Sequence, residues 1–354
     1  MVLPAAQPAE ARTGRKTRRA AASQANAGTP SWWDPADLAR LERFALAFRR
    51  GSEHTGEFRS VRRGGQMEFL EHRPYAIGDD LKFLDWNVFG RLQSLFVKTY
   101  TAEAGSTVTV LVDASPSMHV AAEPGNPGRT RYEAALLAAA AISYIALSGG
   151  TKGSNSRHRV RFGIADRADH SAIRFLPERS GSAGFLALLR DLARDETSNH
   201  NKETAGRPLF AHAISRLAAV PRLRGPVFLL SDGFQAVEQR HEVARLAARP
   251  DVHVTYIQLL TPQELDPSAD AFAATDGAAT LIDSETGDEV TVPGNDGGQP
   301  GWQEAYRDAL GQFVDAWKET CARHSVFHVV ANAGSGSALL DTLLTGVHRA
   351  GVVS

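Results

Sequence analysis

Three polar residues alternate directly after an apolar run in the stretch "TVTVLVDASPSMHV". Asp113 ends the run of Val and Leu, and Ser115 and Ser117 follow at every second position. A tight turn after a buried strand can point such alternating side chains into one concave site. Because carboxylate and hydroxyl oxygens suit a hard divalent cation, this pattern favours Mg²⁺ or Mn²⁺ over zinc.

A second apolar run, in "VFLLSDGF", also ends in a hydroxyl and a carboxylate, those of Ser231 and Asp232. If both runs are parallel strands of one sheet, their carboxyl ends meet at the edge where open α/β sheets bind ligands. Two carboxylates and two hydroxyls could therefore meet at one edge of the sheet and offer oxygen ligands to a cation. The structural alternative is a polar turn in which these side chains only cap the loop through hydrogen bonds to the backbone.

Strand and helix patterns alternate from residue 107 onward. The predicted strands span 107–113, 159–166, 225–232, 251–260 and 326–332, and the predicted helices span 131–147, 182–195, 208–220, 240–249, 302–324 and 336–350. This alternation is typical of an α/β fold with a doubly wound, mainly parallel sheet and helices on both faces, a Rossmann-type arrangement of three layers. Such a sheet would place the two polar clusters together.

The composition changes along the chain and predicts a division into three segments. The first thirty residues combine a basic cluster with Ala, Pro and Ser, which favours a disordered, solvated tail. Next come an amphipathic helix and two strand-like stretches, which together predict a smaller β-containing segment. The predicted division is a basic tail at 1–30, the β-containing segment at 31–105, and the α/β domain at 106–354 with a hairpin insertion near 279–292.

Composition excludes several classes of function. The 354 residues carry 39 Lys and Arg against 40 Asp and Glu, so no overall charge draws the chain to nucleic acid or to an anionic membrane. The single cysteine, Cys321, cannot form an internal disulfide, and one thiol is too few for a cysteine-based zinc site. No stretch reaches the roughly 20 apolar residues of a membrane span. These features predict a cytoplasmic protein.

Two motifs carry a family resemblance. The stretches "VLVDASPSM" and "FLLSDGF" resemble the first and last metal motifs of a von Willebrand factor A domain, which form its metal-ion-dependent adhesion site. The segment "GGQMEFLEHRPYAIGDDLKFLDWNVFGRLQSLFVKTYTAE" is similar to the signature of the DUF58 family, whose members carry such a domain. The likeness runs in order from about residue 36 to the carboxyl terminus. It implies a metal site formed by Asp113, Ser115, Ser117 and Asp232, in which the serines contact the metal directly and the aspartates do so partly through water.

The chain departs from that pattern at one point. Such domains usually supply a threonine from the loop before the helix predicted at 208–220, and here Arg207 and Pro208 stand at that position. Thr204 lies nearby but out of register. An arginine beside the site disfavours a cation by direct repulsion, so this position weighs against metal binding.

A group of charged residues in the β-containing segment allows a catalytic reading. Several carboxylates lie there beside an arginine, in a group formed by Arg73, Asp79, Asp80, Asp85 and Trp86. The turn-forming Gly-Asp-Asp sequence and the aromatic residue instead favour an internal salt-bridged turn with a core anchor.

Three functions remain open from the sequence. The first is a non-enzymatic protein–protein interaction module in which a bound Mg²⁺ or Mn²⁺ accepts a carboxylate from another protein. Members of the DUF58 family are commonly encoded beside MoxR-type AAA+ ATPases, so the resemblance implies such a partner in chaperone-like maturation or remodelling of other proteins. The second is a metal-dependent phosphohydrolase that uses Asp113, although Ser115 stands where such an enzyme needs a second carboxylate. The third is an adaptor for a membrane surface or nucleic acid that uses the basic tail.

Overall fold

Strands and helices alternate along the described part of the chain. The strands of the computed structural model are Glu68–Pro74 (β1), Phe96–Thr101 (β2), Thr107–Asp113 (β3), Arg159–Ala165 (β4), Arg174–Phe175 (β5), Arg179–Ser180 (β6), Gly225–Ser231 (β7), Val252–Leu260 (β8), Ala278–Ile282 (β9), Glu289–Pro293 (β10) and Phe327–Asn332 (β11). The α-helices are Arg131–Ser148 (α1), Ser182–Ser198 (α2), Leu209–Ala218 (α3), Ala236–Ala247 (α4), Pro262–Leu265 (α5), Gly301–Arg323 (α6) and Gly336–Arg349 (α7). The structure describes residues 30, 32–33, 39–42, 68–75, 85, 88, 91, 95–101, 107–121, 129–148, 159–166, 172–198, 209–265, 278–282, 289–293, 301–334 and 336–349.

A mainly parallel sheet forms the centre of the fold, as the alternation predicts. Its strand order is β11-β8-β7-β3-β4-β5, and β6 pairs with β4. The strands β11, β8, β7, β3 and β4 are parallel to their neighbours, whereas β5 and β6 run antiparallel to β4. Since β3 and β7 are adjacent and Val112 pairs with Leu230, Asp113 and Ser231 end their strands at the same level.

The two faces of this sheet are covered by separate apolar cores, which gives three layers. Alternation along β3 sends Val110 and Val112 into one core and Leu111 into the other. The first core contains α1, which is apolar on most of its circumference and therefore buried between neighbours. The second core contains residues of α3, α4 and α6, among them the fully buried Trp317. The result is a Rossmann-like α/β arrangement.

Two small sheets lie outside the central one. β1 and β2 pair antiparallel, which confirms the strands predicted between residues 64 and 100. β9 and β10 also pair antiparallel, which confirms the predicted hairpin strands, while the turn at 283–288 lies outside the described residues. Residues 39–42 are helical within the stretch predicted as an amphipathic helix.

Several predicted features cannot be placed. The basic tail up to residue 29 and a group of singled-out residues lie outside the described part of the chain; these residues are Asp79, Asp80, Trp86, Thr204, Arg207 and Pro208. Asp85 is described and buried, and its carboxylate accepts a hydrogen bond from the Val88 N–H at 3.3 Å. Of the described helices, none combines the length and the apolar character that crossing a membrane requires.

Candidate functional site

Asp113 ends β3, and its side chain is fully buried. One carboxylate oxygen, Oδ1, accepts a hydrogen bond from the Ser115 N–H at 2.9 Å, and the other, Oδ2, accepts one from the Ser231 hydroxyl at 2.6 Å. Burial and the negative charge of nearby Asp232 raise the pKa of Asp113 to about 7, and the hydrogen bonds offset only part of this rise. The carboxylate is thus held by neutral donors.

The two serines of the motif follow on a turn that leads into a short 3-10 helix, Pro116–His119. Ser115 and Ser117 are both buried, and their hydroxyl oxygens lie 3.1 Å apart. The Met118 N–H donates to the Ser115 carbonyl at 3.0 Å, which closes the turn. The predicted convergence of the alternating side chains is therefore present, with three oxygen-bearing groups at one point of the sheet edge.

Asp232 comes directly after β7, the parallel neighbour of β3. Its Oδ1 accepts a hydrogen bond from the Phe234 N–H at 3.1 Å, and its Oδ2 accepts one from Nη1 of Arg131 at 2.6 Å. The same Nη1 donates to the Ser117 carbonyl at 3.3 Å. One guanidinium therefore joins the loop after β3 to the loop after β7.

Glu264 adds a third buried carboxylate from the short helix α5 after β8. Its Oε1 forms an ion pair with Nη2 of Arg131, and its Oε2 accepts a hydrogen bond from the Thr261 N–H at 2.7 Å. Burial alone would lower the pKa of Arg131, but the charges of Glu264 and Asp232 outweigh that effect and raise it. The guanidinium is therefore charged in the folded protein.

A network of neutral side chains holds Asp113 through the hydroxyl of Ser231. The Ser231 hydroxyl donates to Asp113 and accepts a hydrogen bond from the Gly233 N–H at 3.1 Å. The Tyr256 hydroxyl donates to Oε1 of Gln239 at 2.9 Å, and that Oε1 lies 3.5 Å from the Ser231 hydroxyl. This buried network fixes the position of Asp113 without neutralising it.

The loop that carries Asp232 is also held from α6. Nε1 of Trp317 donates to the Gly233 carbonyl at 3.2 Å, and the Trp317 ring stacks on Tyr256 with centroids 4.2 Å apart. Gly233 has φ of +79°, and a Cβ there would lie 2.8 Å from Trp317 Nε1. Glycine is therefore required between the site and this helix.

The structure brings the four predicted ligands to one edge of the sheet; they are Asp113, Ser115, Ser117 and Asp232. Their role in binding a metal stays a prediction. Sequence reasoning did not assign a role to Arg131 or Glu264. Two signals point to them: an arginine at the amino end of a helix is unfavourable unless acids surround it, and Thr261 and Glu264 have the spacing of a capping box after an apolar strand.

The donor types and the charge of this cluster fit a hard divalent cation. Three carboxyl groups are buried here, those of Asp113, Asp232 and Glu264, and the guanidinium of Arg131 pairs with the last two. One guanidinium thus stands against three carboxyl groups, and burial, followed by the negative charge of Asp232, raises the pKa of Asp113. Within the described residues, no three His, Cys, Asp or Glu side chains meet as a metal-binding group, so a cation here would need the serine hydroxyls as ligands.

The family model described as "Protein of unknown function DUF58" matches residues 71–309. Uncharacterized proteins of Mycobacterium bovis and Mycobacterium tuberculosis are 28% identical to the chain over 219 residues. These matches cover 61% of this chain and 60% of each relative, so the chain spans less than two thirds of the length of those relatives.

Two solved structures are similar to the chain at low identity. The conserved hypothetical protein BatB from Bacteroides thetaiotaomicron has a TM-score of 0.37 and 13% identity, with 70% of this chain and 98% of that chain covered. An aerotolerance-related membrane protein from Bacteroides fragilis has a TM-score of 0.36 and 14% identity, with 68% and 100% covered. Both matches thus span nearly the whole of the solved chain.

Proposed function

We propose a function for this chain, which belongs to the DUF58 family of proteins of unknown function. It is a non-enzymatic protein–protein interaction module assisted by a divalent cation. One observation carries this proposal: a buried cluster of carboxyl and hydroxyl groups, with one paired guanidinium for three carboxyl groups, lies at the carboxyl ends of adjacent parallel strands. That edge is where α/β sheets bind their ligands.

The chain's own groups have distinct roles in this proposal. Asp113 supplies the carboxylate that no guanidinium contacts within the described part of the chain, and Ser115 and Ser117 add hydroxyl oxygens beside it. A Mg²⁺ or Mn²⁺ bound there supplies a coordination position that an anionic group of a partner protein can fill. The resemblance of the two motifs to a metal-ion-dependent adhesion site supports the same roles.

Exposed apolar side chains near the site residues favour a protein as the ligand. Val237 is 70% exposed and follows Asp232 by five residues, at the start of α4. Leu265 is 38% exposed and directly follows Glu264. Exposed apolar side chains favour a protein ligand because their burial favours association, and the charged group beside them would provide specificity.

The partner in this proposal is a MoxR-type AAA+ ATPase, with which the protein would act in chaperone-like maturation or remodelling of other proteins. This part rests on the family resemblance. An acidic side chain on the ATPase would provide the anionic group that the site requires.

A pull-down tests the proposal. The native chain and Asp113→Asn, which replaces the carboxylate by an amide of the same shape, are used to capture the MoxR-type ATPase encoded in the same genome, with Mg²⁺ or with EDTA. We expect capture by the native chain in Mg²⁺ only, and at least tenfold less capture by the variant. Equal capture in all four conditions would remove the cation from the mechanism.

A matched pair of surface variants tests whether capture depends on an apolar side chain next to the site or on any exposed apolar side chain. Val237→Ser should weaken capture, because it removes an exposed apolar side chain beside the site. Leu186→Ser changes a 53% exposed leucine on α2, a helix whose Phe185 packs on Tyr144 in the last turns of α1, and should leave capture unchanged. Loss of capture in both variants would contradict a binding surface located at the site.

A further inference from the structure

Arg131 is an unusual residue for its position. It is the first residue of α1, where the helix dipole disfavours positive charge, and its side chain has no solvent exposure. Burial of an unpaired guanidinium is costly, so this arginine is tolerated only because carboxylates surround it. Its surroundings therefore indicate what it does.

The guanidinium contacts every loop that forms the site. Nη1 donates to Asp232 Oδ2 at 2.6 Å and to the Ser117 carbonyl at 3.3 Å, and Nη2 pairs with Glu264. Its central carbon lies 5.2 Å from the centre of the ring of Phe234, which is two residues after Asp232. The second oxygen of Asp232, Oδ1, is used by the Phe234 N–H. Both oxygens of Asp232 thus have a donor within the protein, and one of these donors is charged.

We propose that Arg131 is a built-in counter-ion that keeps Asp232 from contacting the divalent cation, so that Asp113 is the carboxylate in direct contact. This inference rests on the proposed function, since it concerns the same cation. Arg131 is a positioning residue here, and it acts through Asp232. With one carboxylate contact in place of two, more coordination positions are left to water and to an anionic group of the partner.

A double variant tests this role with the formal charge of the cluster unchanged. Arg131→Met with Glu264→Gln removes one positive and one negative charge together and frees Asp232. The affinity for Mn²⁺ is measured from the EPR signal of the free ion, and the number of waters on bound Mn²⁺ is measured from water-proton relaxation. We expect at least tenfold tighter binding and about one water fewer in the double variant. Equal affinity and equal hydration in the two proteins would overturn the proposal.

A second variant covers the case in which the double variant does not fold. Arg131→Lys keeps the charge, but a lysine cannot form the fork that holds two carboxylates at once. It should lower the hydration of bound Mn²⁺ in the same direction, with near-UV circular dichroism as the check on folding. If native protein and variants bind Mn²⁺ with equal hydration, only this inference fails. If none of them binds Mn²⁺, the proposed function fails with it.

Discussion

Two aspartates lie at the carboxyl ends of neighbouring parallel strands and have different hydrogen-bond donors. Asp113 accepts hydrogen bonds from a backbone N–H and from a serine hydroxyl, both neutral. Asp232 accepts one from a backbone N–H and one from the guanidinium of Arg131. Both side chains are buried. The residue type is the same and both residues lie at the end of a strand, so the charged donor of Asp232 is the main difference between their surroundings.

This difference shows that one sheet edge can hold a carboxylate paired with a guanidinium beside a carboxylate that has only neutral donors. The negative charge of Asp232 is balanced inside the protein, so it contributes to the cohesion of the loops after β3, β7 and β8. Among the described residues no guanidinium contacts Asp113, and burial together with the charge of Asp232 raises its pKa to about 7. A group with unbalanced buried charge is a candidate for function, because selection for stability alone would remove it.

The largest expected effect comes from removing the charged donor alone. Arg131→Met leaves Asp232 and Glu264 buried without a cation, which makes both aspartates of the comparison unbalanced. We expect a loss of about 3–5 kcal/mol in the free energy of unfolding, because breaking a buried pair from one side leaves uncompensated charge. Urea denaturation measures it. A loss below about 1 kcal/mol would show that Arg131 does not stabilise these carboxylates.

A smaller loss of stability is expected at Gly233, in the loop that carries Asp232 and packs against α6. Gly233→Ala forces a side chain onto a backbone with φ of +79° and against Trp317, whose Nε1 would lie 2.8 Å from the new Cβ. We expect a loss of about 3 kcal/mol, part from the left-handed backbone and part from the displaced ring. Gly311→Ala is the matched control, since no atom lies within 4 Å of a Cβ there and its helix tolerates alanine. Equal stabilities of the two variants would contradict the close packing of this loop.

The pH dependence of stability tests the surroundings of Asp113 directly. The pKa of Asp113 rises from 3.8 to about 7 on folding, so between about pH 4 and pH 7 the folded state binds more protons than the unfolded state. The contribution of Asp113 to stability therefore falls as pH rises through that window, and it is least favourable above pH 7. In EDTA, Asp113→Asn should be more stable than the native chain at pH 8 by roughly 2 kcal/mol, and this advantage should shrink at pH 5. An advantage that does not change between the two pH values would contradict the unbalanced carboxylate.

The smallest effect is expected for an ion pair at the surface. Arg161 and Glu178 pair at 2.8 Å, but Glu178 is 40% exposed, so water screens the interaction. Glu178→Gln should change the free energy of unfolding by less than about 0.5 kcal/mol, in contrast to Arg131→Met. A loss comparable to that of Arg131→Met would mean that burial does not determine the strength of these pairs.

The sequence predicted the parts of the molecule that depend on local pattern. The run of Val and Leu before Asp113 predicted β3, and the alternation of apolar elements predicted the mainly parallel sheet, because both follow from which side chains can be buried. Element ends were less predictable. Helix α4 begins at Ala236, ahead of the predicted 240–249, and Gln235 before it makes no side-chain capping bond, so no capping residue marks this start. β5 and β6 have two residues each, too few to show a period.

The sequence predicted which polar residues meet at the candidate site but not how their charges are balanced. Asp113, Ser115 and Ser117 form a local motif, so their spacing is visible in the chain. The pairing of Arg131 with Glu264 joins residues that are 133 positions apart, and it depends on the order of the strands. From the sequence, Arg207 was the positive charge expected to repel a cation, and it lies outside the described residues. The described arginine at the site is Arg131, and its charge is balanced by acids.

Anomalous scattering from crystals of the whole chain soaked in Mn²⁺ tests the central claim most directly. The account predicts a single peak at the sheet edge, in contact with Asp113 and the hydroxyls of Ser115 and Ser117, with Arg131 still on Asp232. The peak should be absent in crystals of Asp113→Asn. A native crystal with no anomalous peak between these oxygens would contradict the account, whatever the fold of the surrounding sheet.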